Sequence, residues 1–260
     1  MLLSLMGLTV VIHLIDTLAY SVRLNSVKSG KYALSLSLFN IFVLVSRTAN
    51  MLQAPLIGML IGISIANQTD PIKDIRLVVA SATMGTLLGI VLIPTFLKLF
   101  AKAVDRLEVK GSVPSIVVEA LSISNIKRIV KNTTRPNKRM FYRLRYREIP
   151  KRLLLLNTLI TSIYTIGVIS AYYAAFFVAE DFRLSASASS GMINGVATIL
   201  LTLLVDPRAA IITDQAIRNK RPYGDVKALV VLLIGTKLLG TIVGQILIYP
   251  AAIIIASFYN

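Results

Sequence analysis

The run LLSLMGLTVVIHLIDTLAYSV, residues 2–22, decides the fold. It is long enough to cross a bilayer as a helix, which takes about 20 mostly apolar residues. Its one carboxylate is Asp16, and its one imidazole, His13, is the only histidine in the chain. Working outward, runs of the same kind recur at 33–53, 76–98, 153–178, 187–205 and 228–257. Mean hydropathy is +0.74 and 55% of the residues are hydrophobic. These features specify an all-α, polytopic transmembrane bundle of about six spans. Two shorter segments, 55–66 and 207–218, each open on a proline (Pro55, Pro207). Proline removes a backbone donor, so these segments read as kinked continuations or half-helices of a proline-broken span.

The formal net charge is +16 over 260 residues. In a soluble domain that excess would suggest nucleic acid, but here the charges gather between the apolar runs. Arg23, Lys28 and Lys31 occupy the first connection, and fifteen Lys/Arg face four acids across 98–152. Arg208, Arg218, Lys220, Arg221 and Lys227 crowd the fifth. The second and fourth connections balance Lys73 and Arg76 with Asp70 and Asp74, and Arg183 with Glu180 and Asp181. Basic loops stay cytoplasmic, so both termini are expected outside the cell membrane. The first run lacks a basic n-region and a cleavage site, so it reads as a retained helix and not a signal peptide.

Laid on itself at an offset of 151, the chain matches around the third and sixth runs. Asp74-Ile75-Arg76 meets Asp225-Val226-Lys227, Leu87-Leu88-Gly89 meets Leu238-Leu239-Gly240, and Pro71 meets Pro222. With three spans per half, the second half enters the bilayer from the opposite side. That is an inverted repeat, an arrangement recurrent in alternating-access transporters. The expected organisation is a first repeat over 1–101, a basic cytoplasmic loop over 102–151 and a second repeat over 152–260. Resemblance between apolar helices by composition alone is the competing reading.

A charged side chain at mid-bilayer costs roughly 3 kcal/mol by insertion scales, so intramembrane polar residues should face the bundle interior. Thr9, His13, Asp16, Tyr20 and Arg23 recur at helical spacing and form one stripe. Ser37, Asn40, Arg47 and Asn50 do the same on the second run, with Gln53 beside them. Lys237, Thr241, Gly244 and Gln245 share a side of the sixth. Three such stripes describe a lined cavity. Its cations Arg47, Lys237 and Arg23, with Asn40, Asn50 and Gln53, are candidates to bind a phosphate or pyrophosphate. His13, Asp16, Tyr20, Asp206 and Arg208 are candidates for proton coupling or gating.

Each has a structural alternative. Arg23 and Lys237 suit snorkelling to the interface, Asp16 with Arg47 suits a buried pair joining helices, and His13 suits a packing role. Asp206-Pro207-Arg208 equally suits a helix end with an interfacial ion pair. Gly85/Gly89 and Gly240/Gly244 are small-residue pairs for close packing, within the chain or between copies in a homo-oligomer.

In the long loop, Ile116 to Lys131 reads as an amphipathic helix lying on the membrane, followed by a basic tract that includes Tyr142 and Tyr146. Anionic membrane lipids are its expected partner, at about 1 kcal/mol per basic residue near the surface; nucleic acid is not. With no cysteine and one histidine there is no zinc cluster. No Walker loop, HExxH or G-x-S-x-G is present, nor the clustered aspartates of a metal-dependent lipid phosphotransferase. Neither a cofactor nor a metal is expected, and moving a substrate is favoured over chemistry on one.

Three stretches carry a resemblance: His13-Leu14-Ile15-Asp16-Thr17-Leu18-Ala19-Tyr20-Ser21-Val22-Arg23, Ser35 to Asn40, and Ser46-Arg47-Thr48-Ala49-Asn50 to Pro55. Together with Asp206-Pro207-Arg208-Ala209-Ala210, they make the chain resemble the bacterial alternate lipid II flippases, the Amj family, unrelated in fold to the MurJ flippases. The resemblance covers almost the whole chain. It implies translocation of lipid II, the undecaprenyl-pyrophosphate-linked peptidoglycan precursor, from the cytoplasmic to the outer leaflet. It assigns no residue a role. A transporter of another polyprenyl-phosphate-linked sugar and a non-transporting scaffold for cell-wall synthesis are the alternatives.

Overall fold

The structure, a computed structural model, describes residues 1–111, 134 and 144–259. Among them six helices are long and apolar enough to cross a membrane. They are α1 (Leu2–Ser29), α2 (Tyr32–Ala66), α3 (Ile72–Lys110), α4 (Lys151–Ala174), α5 and α6 (Tyr223–Ala256). The fifth is composite: Arg183–Leu200 runs through a π-helical turn, Leu201–Val205, into Asp206–Ile217. The amphipathic segment expected over 116–131 and most of the basic tract after it lie outside the described residues.

Local chemistry sets the ends. Gly30 closes α1 in the left-handed conformation, φ 68°, and its N–H donates to the Ser26 carbonyl. Glycine adopts that conformation without a Cβ penalty. Only Lys31 then separates it from α2. Lys31 donates to Asp105 at 2.8 Å and pairs with Glu108 at 2.6 Å, both on α3. Those contacts, the hydrogen bond to Asp105 first, push its ammonium pKa up. At 39 residues, α3 is about 58 Å long, far more than the roughly 30 Å hydrocarbon core. The expected span 76–98 is therefore its central part.

Prolines shape the helices less sharply than expected. Pro55 lies inside α2, which continues unbroken to Ala66; the half-helix reading of 55–66 gives way to the continuation reading. Pro94 and Pro250 are likewise internal to α3 and α6. Among the helix prolines of the described residues, only Pro207 accompanies an irregularity. Just before it the Asp206 N–H reaches the Leu201 carbonyl, five residues back, instead of the usual four. Such widened turns relieve the clash and lost donor that proline brings.

Two apolar clusters close the bundle at opposite ends. One contains Leu18, Val22, Phe96, Phe100, Leu229 and Leu233; the other contains Leu5, Ile57, Val78, Tyr173, Ile248 and Ala252. The start of α1 and the end of α6 share the second cluster, so both termini lie at the same end. Between the clusters runs a polar layer of Thr9, His13, Thr17, Asn157, Thr161, Lys237 and Thr241, all buried.

The packing repeats in the two halves. α1 packs on α3 and α2, and α4 packs on α6 and α5. α1, α3, α4 and α6 form a contiguous centre, while α2 leans mainly on α1 and α5 mainly on α4. Glycines permit the closest approaches. A methyl at Gly89 would stand 2.7 Å from Thr17 Cβ and 3.2 Å from the Leu14 carbonyl oxygen. One at Gly240 would stand 2.8 Å from both Thr161 Cβ and the Thr158 carbonyl oxygen. Each glycine thus meets a carbonyl and, three residues on, a threonine. A methyl at Gly85 would collide with the Val10 carbonyl, and one at Gly244 would press on Ile166. All four glycines are used within the chain.

The likeness is not carried everywhere. Asp225 is buried and faces Arg145 at 3.3 Å and Arg221 at 3.5 Å, whereas Asp74 is half-exposed.

The glycine contacts set an expectation for stability. Gly85→Ala and Gly240→Ala should each lose about 1–3 kcal/mol through overpacking. Gly62→Ala and Gly235→Ala, where a methyl meets nothing within 4 Å, should be neutral or slightly stabilising. Thermal unfolding in detergent, followed by fluorescence-detected size exclusion, distinguishes the two sets.

Candidate functional site

The polar layer opens on one side into a cavity of about 270 Å³. α1 lines it with His13, Asp16, Tyr20 and Arg23, α2 with Asn40, Ser46 and Arg47. α4 contributes Thr161 and Tyr164, α5 contributes Thr198, Thr202 and Asp206, and α6 contributes Lys237. α3 is absent from the wall. At 1.5 Å per residue, Arg47 stands about 22 Å beyond the start of α2 and Lys237 about 21 Å beyond the start of α6. Both cations thus stand well inside their helices, near the middle of each.

Eight of the eleven residues singled out from sequence meet here: His13, Asp16, Tyr20, Arg23, Asn40, Arg47, Asp206 and Lys237. Asn50 and Gln53 stand in a smaller adjoining space that also touches His13 and Tyr164. There Gln53 donates to Thr9 Oγ1 at 2.6 Å, and Asn50 faces the same space as Tyr164. Arg208 is exposed and outside both spaces.

The charges pair differently from the sequence expectation. Asp16 does not join α1 to α2 through Arg47. Lys237 Nζ lies 3.6 Å from Asp16 Oδ2, and Ser46 Oγ donates to Asp16 Oδ1 at 2.7 Å. One carboxylate therefore ties α1 to both α2 and α6. Arg23 donates to Asp206 Oδ1 at 3.1 Å, joining α1 to α5 beside the π turn. Arg23 and Asp206 thus hold each other between α1 and α5. Tyr20 donates to Asn157 Oδ1 at 2.9 Å, and Asn157 in turn donates to the Leu233 carbonyl and Thr236 Oγ1.

Three cations (Arg23, Arg47, Lys237) and two carboxylates (Asp16, Asp206) line the cavity. The carboxylates take Lys237 and Arg23. Among the described residues Arg47 has no carboxylate at ion-pair distance, so the cavity carries one uncompensated guanidinium. A fork of donors in a low-dielectric site favours a phosphate oxygen pair over any neutral ligand. His13 is buried with Nδ1 unpartnered, which leaves an acceptor or donor available toward the polar layer.

Sequence reasoning missed Tyr164, Asn157, Ser46, Thr198 and Thr202. Asn157 carried a usable signal, because a lone asparagine amid 151–156 and 159–160 is costly in lipid without partners. Tyr164 follows Tyr20 by 144 residues, the same interval that separates Thr161 from Thr17 and Thr158 from Leu14 at the paired glycines. Small hydroxyls give no comparable signal, since they satisfy themselves on their own helix.

Six helices long and apolar enough to span a membrane, packed around a polar cavity, define a multi-pass membrane protein. The chain belongs to the Amj family, described as alternate to MurJ, whose sequence model matches residues 8–259. It is 39% identical over 247 residues to the lipid II flippase Amj of Bacillus subtilis (strain 168), across 94% of this chain and 91% of that protein. No solved structure matches the chain.

The ion pair at the cavity floor sets a stability expectation. Asp16→Asn or Lys237→Met alone leaves a charge uncompensated in the membrane interior and should destabilise by roughly 3 kcal/mol. The double variant should recover most of that loss, as measured by thermal unfolding of the purified protein. Equal instability of the single and double variants would show that the pair is not coupled.

Proposed function

We propose that this chain is a lipid II flippase, carrying the undecaprenyl-pyrophosphate-linked peptidoglycan precursor from the cytoplasmic to the outer leaflet for cell-wall synthesis. The observation that carries the reading is the Arg47 guanidinium, without a carboxylate partner among the described residues, on the wall of a polar cavity and near the middle of α2. The family and the name of the Bacillus relative supply the identity of the lipid. A flippase must hold a pyrophosphate away from hydrocarbon, and one surplus cation supplies attraction without trapping the substrate. Additional unpaired charges would bind harder and release more slowly.

Access alternates about the inverted repeat, in this reading. Its support is the matched packing of α1–α3 and α4–α6 and the matched contacts of Gly89 and Gly240. The alternation of basic connections supports termini outside. The cavity then lies toward the cytoplasmic half, the side from which lipid II loads. At about 270 Å³ it falls below the roughly 300–1,000 Å³ of ordinary small-ligand sites. It suits the pyrophosphate and excludes the full sugar–peptide headgroup, so passage requires the walls to part. Asp16–Lys237 and Arg23–Asp206 are the polar ties that such a movement exchanges.

In cells depleted of their other lipid II flippase, this chain should restore growth. Arg47→Ala should abolish rescue while the protein still reaches the membrane, because a charge-assisted hydrogen bond of about 1.5–3 kcal/mol is lost, equivalent to a tenfold or greater fall in transport. Arg47→Lys should retain part of the activity. Full rescue by Arg47→Ala would remove this residue from the mechanism.

Orientation has its own test in a chain with no native cysteine. Thr69→Cys should react with a membrane-impermeant maleimide in intact cells, and Lys220→Cys only after permeabilisation. The reverse pattern would invert the topology.

A further inference from the structure

The bundle is not uniformly packed, and its looseness is localised. α1, α3, α4 and α6 pack into one unit, whereas α2 is held mainly by α1 and α5 mainly by α4. α2 and α5 hardly touch each other, although both line the same cavity, through Val43 and Arg47 on one side and Thr198 and Thr202 on the other. The seam between them is therefore the wall of the cavity that helix packing leaves weakest. It is bordered by lipid-facing apolar side chains, Leu44 at 62% exposure on α2 and Leu203 at 66% on α5.

α5 also carries the means to move. The π turn at Leu201–Val205 and Pro207 interrupt its regular ladder at the level of the cavity; such sites bend at low cost. Below the turn, Asp206 is tied to Arg23 of α1, and Asp206–Ile217 packs on α1 and α6. Above it, Arg183–Leu200 packs almost entirely on α4. Asn194 Oδ1 is buried there without a hydrogen-bond partner, against Gly167. The lower half is tied to α1 and α6, whereas the upper half rests mainly on α4, with a Ser189–Tyr259 hydroxyl contact at 2.6 Å toward its N-terminal end.

We propose that the seam between α2 and α5 is a lateral portal. The polyprenyl chain of the lipid-linked substrate lies in this portal while its pyrophosphate occupies the cavity, and the Arg183–Leu200 half of α5 swings about the π turn to admit the headgroup. This rests on the flippase reading above. The tail stays in hydrocarbon throughout, against Leu44 and Leu203, so the protein needs no enclosed apolar tunnel. The pyrophosphate enters sideways and meets Arg47, which lies on the α2 side of the seam.

The absence of native cysteine makes the test clean. In Val43→Cys/Thr202→Cys, a reducible bis-methanethiosulfonate cross-linker should stop lipid II flipping in proteoliposomes by at least tenfold. A thiol reductant should return it to the rate of the same double variant before cross-linking. Unchanged flipping by the fully cross-linked double variant would overturn the portal. The second measurement uses the unmodified chain with lipid II bearing a photoreactive group on its polyprenyl chain. Adducts concentrated on α2 and α5 at the seam are expected; adducts spread evenly over all lipid-facing helices would overturn the portal even if the cysteine variant failed to fold. Failure of the unmodified chain to flip lipid II, by contrast, would remove the flippase reading on which the portal rests.

Discussion

Asp16 is the point on which the bundle interior depends. A carboxylate near mid-bilayer cannot be hydrated by lipid, so its neighbours must supply every partner. It takes Ser46 from α2 and Lys237 from α6, binding the two halves of the chain through one side chain. Lys237 is buried and equally in need of an anion. Each group is tolerable only because the other is present. Around them Tyr20, Asn157 and Thr236 close a second network that links α1, α4 and α6. The two apolar clusters above and below confine this polar layer to the middle of the bundle.

From that constraint follows a division of labour. Helices whose interfaces are built on glycine meet at backbone distance and form a rigid centre, as Gly85 and Gly89 do against α1 and Gly240 and Gly244 against α4. In lipid, tight packing of this kind replaces the hydrophobic drive that assembles soluble cores. α2 and α5 lack such a shared interface with each other; each packs along one neighbour, α1 and α4, and adds a polar tie to the centre: Ser46 to Asp16, and Asp206 to Arg23. Polar ties are exchangeable, whereas glycine contacts are all-or-none. A transporter needs both kinds.

Much of this was legible in the sequence, for definite reasons. The spans follow from hydropathy because lipid tolerates no other unpaired backbone, and the stripe from Thr9 to Arg23 follows from the helical period. Both placed His13, Asp16, Tyr20 and Arg23 on the cavity wall. Pairing was less accessible. Asp16 and Arg47 sat on adjacent helices and looked like partners, yet the register of α6 brings Lys237 to Asp16 instead, and no local pattern encodes that register. Pro55 looked like a break because proline lacks a donor, but a long helix in a membrane absorbs one missing bond. Arg208 was grouped with Asp206 by proximity in sequence; two residues apart on a helix they face different ways. Thr198 and Thr202 gave no sign of themselves, since threonine is common on any span.

The central claim is that the cavity carries a lipid-linked pyrophosphate from one leaflet to the other. Its most direct measurement is the accessibility of lipid II on the outer leaflet of cells depleted of their other flippase, with and without this chain. Lipid II should be confined to the inner leaflet in the depleted cells and become accessible from outside when the chain is expressed. Lipid II that remains inaccessible despite full-length protein in the membrane would contradict the account.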